Sequence, residues 1–116
     1  MPYLNLKTNT AIKDEQSNNL MRRATTLLAE RLGKSPAYIM VSVEGQQTMQ
    51  MGGSDAPLAY LELKSIGLEE DATSSLSAAL CGLIAELLEI PGDRVYIEFA
   101  DAPRAMWGWD GRTFAR

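Results

Sequence analysis

A chain of 116 residues, 46% of them hydrophobic, is enough for one domain that buries roughly two thirds of its unfolded surface around a single core. Eleven basic and fifteen acidic side chains leave a net charge of −4, with no basic run beyond Arg22-Arg23, which argues against nucleic acid as a partner. Histidine is absent, which removes the commonest general base, every Ser-His or Cys-His nucleophile pair and most zinc sites; the lone Cys81 excludes an internal disulfide.

The chain opens with Met1-Pro2, directly before the alternating, strand-like run Tyr3-Leu4-Asn5-Leu6-Lys7. Excision of Met1 would leave a secondary amine at position 2. Anywhere else a proline nitrogen is a tertiary amide with no capacity to accept a proton; only at a terminus is it a base. This N-terminus lacks the basic and apolar regions of a signal peptide, and no segment is expected to span a membrane, so a soluble cytoplasmic protein is expected.

A helix with one apolar stripe follows, through Leu20, Met21, Ala24, Leu27, Leu28 and Leu32, with Asp14 as its N-cap candidate and Gly33 and Pro36 as its stop. The next strand runs through Ile39-Met40-Val41, and Gly52-Gly53-Ser54, which lacks the phosphate-loop lysine and spacing, reads as a turn. The pattern then repeats. Tyr60-Leu61-Glu62-Leu63-Lys64 lies 57 positions after Tyr3–Lys7, and Asp71 keeps the same offset from Asp14. Leu83-Ile84-Ala85-Glu86 lies 56 after Leu27-Leu28-Ala29-Glu30, Val95-Tyr96-Ile97 lies 56 after Ile39–Val41, and Trp107-Gly108 lies 56 after Met51-Gly52. The second helix carries its stripe on Leu76, Ala79, Leu80, Leu83, Ile84, Leu87 and Leu88, and stops before Pro91-Gly92.

Two repeats, 2–53 and 58–109, each read strand, helix, strand and a short third strand. The predicted fold is α+β: a doubled β-α-β-β with right-handed crossovers, giving a four-stranded mixed sheet with two helices on one face. Alternation assigns Leu4, Leu6, Ile39, Val41, Val43, Leu61, Leu63, Val95, Ile97 and Phe99 to the covered face. The opposite face collects all four tyrosines, Tyr3, Tyr38, Tyr60 and Tyr96, with Asn5, Lys7, Met40, Ser42, Glu62, Lys64 and Glu98. Aromatic residues so placed mark a surface covered by a partner, so an oligomer is expected.

The repeat also serves as an internal control on the chemistry. The counterpart of Pro2 is Ala59 and that of Lys34 is Ile90, so the fold alone demands neither a proline nor a cation. A terminal amine held against an apolar wall has a lowered pKa, and a nearby ammonium such as that of Lys34 pushes it the same way. Trp107, Trp109 and Phe114 are positioned to pack the tail or to wall an aromatic pocket, and Tyr96 and Glu98 project together from the amphipathic face.

Met1-Pro2, Gly33-Lys34 with Pro36 and Tyr38-Ile39, Met49 then Gly52-Gly53-Ser54, Ser65-Ile66-Gly67, Leu80-Cys81-Gly82-Leu83, Asp93-Arg94-Val95-Tyr96-Ile97 and Gly108-Trp109 with Thr113-Phe114-Ala115 together resemble the macrophage migration inhibitory factor branch of the tautomerase superfamily. The resemblance covers essentially the whole chain. It implies a homotrimer and cofactor-independent keto–enol tautomerisation of phenylpyruvate and dopachrome-type compounds, with no metal. Carried over, Pro2 would be the base, Lys34 would bind the substrate carboxylate, and the backbone amide of Ile66 would assist it. Tyr38, Trp109 and Phe114 would shape the pocket, and Tyr96 would reach in from an adjacent subunit. Where the animal cytokine has Cys-x-x-Cys this chain has Leu58-Ala59-Tyr60-Leu61, so thiol–disulfide exchange is not implied. Glu98 stands where that cytokine has a neutral asparagine, and Trp107 replaces a small aliphatic residue at the pocket lip. Two readings compete with the enzyme: a non-catalytic interaction or cytokine-mimic protein on the same trimeric scaffold, and a ferredoxin-like small-ligand regulatory domain.

Overall fold

Alternating apolar side chains at Leu4 and Leu6 in one strand and at Leu61 and Leu63 in another meet in the centre of the molecule, each almost wholly buried. They do so in a computed structural model that describes residues 1–115. The elements in order are β1 (Tyr3–Thr8), α1 (Asp14–Leu32), β2 (Met40–Glu44), β3 (Ala59–Ile66), α2 (Glu70–Leu88), β4 (Val95–Ala102), β5 (Gly108–Trp109) and β6 (Arg112–Thr113). Single turns of 3-10 helix at Pro36–Tyr38, Gly92–Arg94 and Arg104–Met106 precede β2, β4 and β5.

The four long strands lie in the order β2-β1-β3-β4, with β1 parallel to β2, β3 parallel to β4, and the two halves joined by the antiparallel pair β1–β3. The sheet is mixed and carries two helices, as the doubled sequence predicts. Leu20, Ala24 and Leu28 of α1 and Leu76, Leu80, Leu83, Ile84 and Leu88 of α2 pack with the covered face of the sheet in one core, and Ile39, Val41, Val43, Ile97 and Phe99 pack at its margin.

Four local expectations are corrected. Asp14 and Asp71 are first-turn residues rather than N-caps: Lys13 and Glu69 hold the cap positions, and the carboxylates sit where the helix dipole favours negative charge. Gly33 closes α1 in the left-handed region, at φ 63°, donating its N–H to the Ala29 carbonyl, but at the equivalent point α2 closes on Glu89, at φ 56°, ahead of Pro91-Gly92. The third strand of the first repeat is reduced to a bridge between Met51 and Ser54 around the Gly52-Gly53 turn, whereas β5 and β6 form a true hairpin through Asp110-Gly111, both at positive φ. Finally, α2 is long and apolar enough by length and composition to cross a bilayer, contrary to expectation; here its apolar stripe faces the sheet.

The uncovered sheet face is partly polar and internally bonded. Tyr3 Oη lies 2.7 Å from Ser42 Oγ, Ser42 Oγ donates to Asn5 Oδ1 at 2.6 Å, and Tyr60 Oη donates to Glu98 Oε1 at 2.6 Å. Tyr38 is absent from this face. It belongs to the 3-10 turn ahead of β2, which swings it toward the C-terminal hairpin.

Candidate active site

Pro2 sits at the entrance to β1, where its carbonyl accepts the Met40 N–H at 3.0 Å, and it is fully buried. The chain leading from α1 through Gly33 and the Pro36–Tyr38 turn brings Tyr38, Ile39 and Met40 alongside it. From the other side the β5–β6 hairpin folds back, tied by the Phe114 N–H to the Trp107 carbonyl at 3.2 Å. Between them lies a cavity of about 250 Å³ walled by Met1, Pro2, Tyr3, Ala37, Tyr38, Ile39, Met40, Trp107, Gly108, Trp109 and Phe114. A broader polar depression of about 620 Å³ runs along the start of α1 past Lys13, Glu15, Gln16, Asn18, Asn19 and Arg22. It is more open to solvent and lined by polar and charged residues alone, so the smaller, aromatic-walled cavity is the candidate site.

Three aromatic rings fix the wall. Tyr38 meets Trp109 edge-on at 5.6 Å between centroids, and Trp109 stacks on Phe114 at 5.7 Å. Both geometries are those that ring quadrupoles favour, so the three rings support one another along the wall.

The N-terminal amine has its pKa lowered from the ordinary 8.0, first by burial and second by the positive charge of Lys34. Both act in one direction because each disfavours the ammonium form. Met1 is in place, so this amine is Met1's and the Pro2 nitrogen is an amide. Pro2 lies deeper than the half-buried Met1, so an amine at position 2 would be more desolvated still.

Of the eight residues singled out by sequence, Pro2, Tyr38, Trp109 and Phe114 share the cavity wall, and Lys34 influences the amine electrostatically from just outside it. Ile66 is buried at the end of β3; since Tyr3 is opposite Lys64 in the antiparallel register, it flanks the N-terminal segment without lining the cavity. Tyr96, 65% exposed, and Glu98 project from β4 on the uncovered face and do not reach this chain's cavity. Glu98 is engaged by Tyr60, whose phenol is pushed up to about 12, chiefly by that hydrogen bond.

Arg94 is a residue whose role sequence reasoning missed. It lies 56 positions after Tyr38, and in the second half it does the opposite of lining a cavity. Its guanidinium donates to the carbonyls of Met51, Ser54 and Ala56, each at 2.9 Å, and to Pro57 at 3.5 Å, filling the pseudo-equivalent space with hydrogen bonds to the 51–57 loop. The signal was present, since an arginine at the repeat position of a pocket tyrosine breaks the symmetry.

The family profile described as macrophage migration inhibitory factor (MIF) matches residues 1–115. The chain belongs to the macrophage migration inhibitory factor family. It is 39% identical over 116 residues to the macrophage migration inhibitory factor of Meriones unguiculatus, covering 99% of this chain and 100% of that one. It is 36% identical over 115 residues to the homolog from Brugia malayi, covering 98% and 99%. Among solved structures, the family member from Prochlorococcus marinus superposes with a TM-score of 0.93 at 38% identity, covering 97% of this chain and 99% of that one. Membership places the chain in the tautomerase superfamily and supports an isomerase reading of the cavity.

Proposed function

We propose that, once Met1 is removed, this protein is a cofactor-independent keto–enol tautomerase of aromatic α-keto acids such as phenylpyruvate, and of dopachrome-type compounds, with Pro2 as the base. The single observation that carries this reading is the position of Pro2 itself, buried in the wall of an aromatic cavity beside Tyr38, Trp109 and Phe114. A neutral Pro2 nitrogen takes the proton from the carbon next to the carbonyl. The resulting ammonium then returns a proton to the other end of the enolate, so one base serves both steps.

Lys34 would hold the substrate carboxylate while disfavouring protonation of the amine, which joins binding and pKa tuning in one side chain. The Ile66 backbone amide would assist at the carboxylate. Tyr38, Trp109 and Phe114 would confine the ring. Assembly as a homotrimer would cover the tyrosine-bearing sheet face and bring Tyr96, and with it Glu98, toward a neighbour's cavity; Tyr96 and Met40, about two thirds exposed on opposite edge strands, are consistent with such packing. Pro2→Gly tests the reading. The variant should stay folded and lose at least roughly a hundredfold in kcat/KM, the lower end of general-base contributions; unchanged turnover would take the amine out of the mechanism.

A second reading turns on Met1. While Met1 is retained the Pro2 nitrogen has no lone pair to offer, and the same scaffold would act only as a binding or cytokine-mimic protein. Partner binding that persists with no measurable tautomerase rate would favour it.

A further inference from the structure

Pro2 is followed in β1 by Tyr3, a half-buried residue that walls the candidate cavity but takes no part in proton transfer. Its ring does not hang free. Tyr3 pairs with Met40, and Asn5 with Ser42, in the parallel β1–β2 register, so the Tyr3 hydroxyl, 2.7 Å from Ser42 Oγ, reaches to the next pair along the uncovered face. Ser42 Oγ in turn donates to Asn5 Oδ1 at 2.6 Å, and Asn5, only 6% exposed, anchors the bonds in the sheet. A serine hydroxyl has one proton, and an amide oxygen can only accept it. Tyr3 is therefore the donor to Ser42, and the relay runs in one direction, from the cavity wall to a buried amide.

The second repeat tethers its tyrosine too, by other means. Tyr60, Glu62 and Glu98 stand 57, 57 and 56 positions after Tyr3, Asn5 and Ser42, and Tyr60 Oη donates directly to Glu98 Oε1 at 2.6 Å. There the pseudo-equivalent space is filled by Arg94. In the first repeat the space is open, and an untethered tyrosine would sample several staggered rotamers beside it. A cavity of about 250 Å³ is small enough that a phenol ring swung into it would compete with any aromatic ligand. We propose that Ser42 and Asn5 are positioning residues for the candidate active site: through Tyr3 they hold one wall of the cavity beside Pro2 in place and keep the cavity open. The class of ligand rests on the tautomerase reading, but the tether is tested without turnover.

On protein freed of Met1, calorimetric titration with cinnamate, which cannot tautomerise, would compare wild type, Tyr3→Phe, Ser42→Ala and the double variant. Each single variant should weaken binding by about two- to tenfold, the range of one hydrogen bond. Because both break the same bond, the double variant should bind no worse than the weaker of the two. Ser42→Thr, which keeps the hydroxyl, should retain most of the wild-type affinity. With phenylpyruvate, Tyr3→Phe and Ser42→Ala should raise KM more than they lower kcat, the split expected when ground-state binding is lost. Unaltered affinity in both single variants, additive losses in the double variant, an equal loss in Ser42→Thr, or no binding of cinnamate by the wild type would overturn the assignment. Losses in the predicted pattern with no turnover of phenylpyruvate would uphold the relay and sink the tautomerase reading instead.

Discussion

Replacing Arg94 with methionine keeps an unbranched apolar stem and removes the donors that tie the 51–57 loop to the second half of the fold. Three bonds at 2.9 Å are lost, while the fourth, at 3.5 Å, is too long to count. Ser54 and Ala56 are exposed, so water replaces much of what is lost there; Met51 is half-buried and recovers less. Taking about 0.5–1 kcal/mol net for each bond gives a destabilisation of about 2 kcal/mol. For a domain of this size that is a fall in Tm of about 8 °C. Urea denaturation at fixed protein concentration, read with an unchanged m-value, measures it. Amide exchange at Met51 and Ser54, whose N–H groups bond each other's carbonyls at 3.0 and 3.1 Å, should accelerate in parallel. Arg94→Lys should recover only part of the loss, since one ammonium does not span three carbonyls. None of the residues that wall the cavity bonds the Arg94 side chain, so turnover should survive. A change in Tm below about 2 °C would refute the clamp, because it would mean that the loop holds its position without those bonds.

Gly33→Ala should lower stability by about 1 kcal/mol in the same denaturation assay; no atom stands within 4 Å of the added methyl, so the whole effect is the left-handed backbone at φ 63°. Glu89→Gly, at the matching helix end, should stabilise by a smaller amount because glycine also loosens the unfolded chain. In an ultraviolet titration of the tyrosines, Tyr60 should ionise near 12; its bond to Glu98 stabilises the fold fully below pH 10.0 and is lost as pH rises through that higher value. Glu98→Gln should move this late phase down toward 10.0, and its persistence would exclude the Glu98 contact as its cause. Lys34→Met should raise KM for phenylpyruvate roughly tenfold, as expected for loss of a charge-assisted contact, and shift the pH–rate midpoint upward, because a nearby positive charge disfavours the ammonium form. A midpoint that falls would contradict this sign.

The doubled sequence made most of the architecture legible, because period-two and helical patterns recur at offsets that constrain each other. Where it misled, local chemistry decided. Asp14 and Asp71 carry good capping side chains, yet α1 and α2 begin at Asp14 and Glu70, 56 apart, so the change of offset falls in the strand-to-helix connection rather than inside the helix. Tyr38 fits a strand by alternation, but Pro36 starts a 3-10 turn that rotates it off the sheet. Four of the candidate residues share one cavity because the hairpin that carries Trp109 and Phe114 folds over the strand entrance. Asp110-Gly111, a strong hairpin signal, would have located that fold-back. Tyr96 and Glu98 sit on a face that one chain leaves uncovered, and sequence periodicity places a residue on a face without saying whose cavity it meets.

The most direct test is the rate of phenylpyruvate tautomerisation as a function of pH, on protein whose loss of Met1 has been established by intact mass. The account predicts a rate that switches on as pH rises, with its midpoint below the ordinary α-amino value of about 8, since Pro2 lies deeper than Met1, whose amine burial and the charge of Lys34 already hold down. A rate no greater than that of buffer, or a midpoint at or above that value, would contradict it.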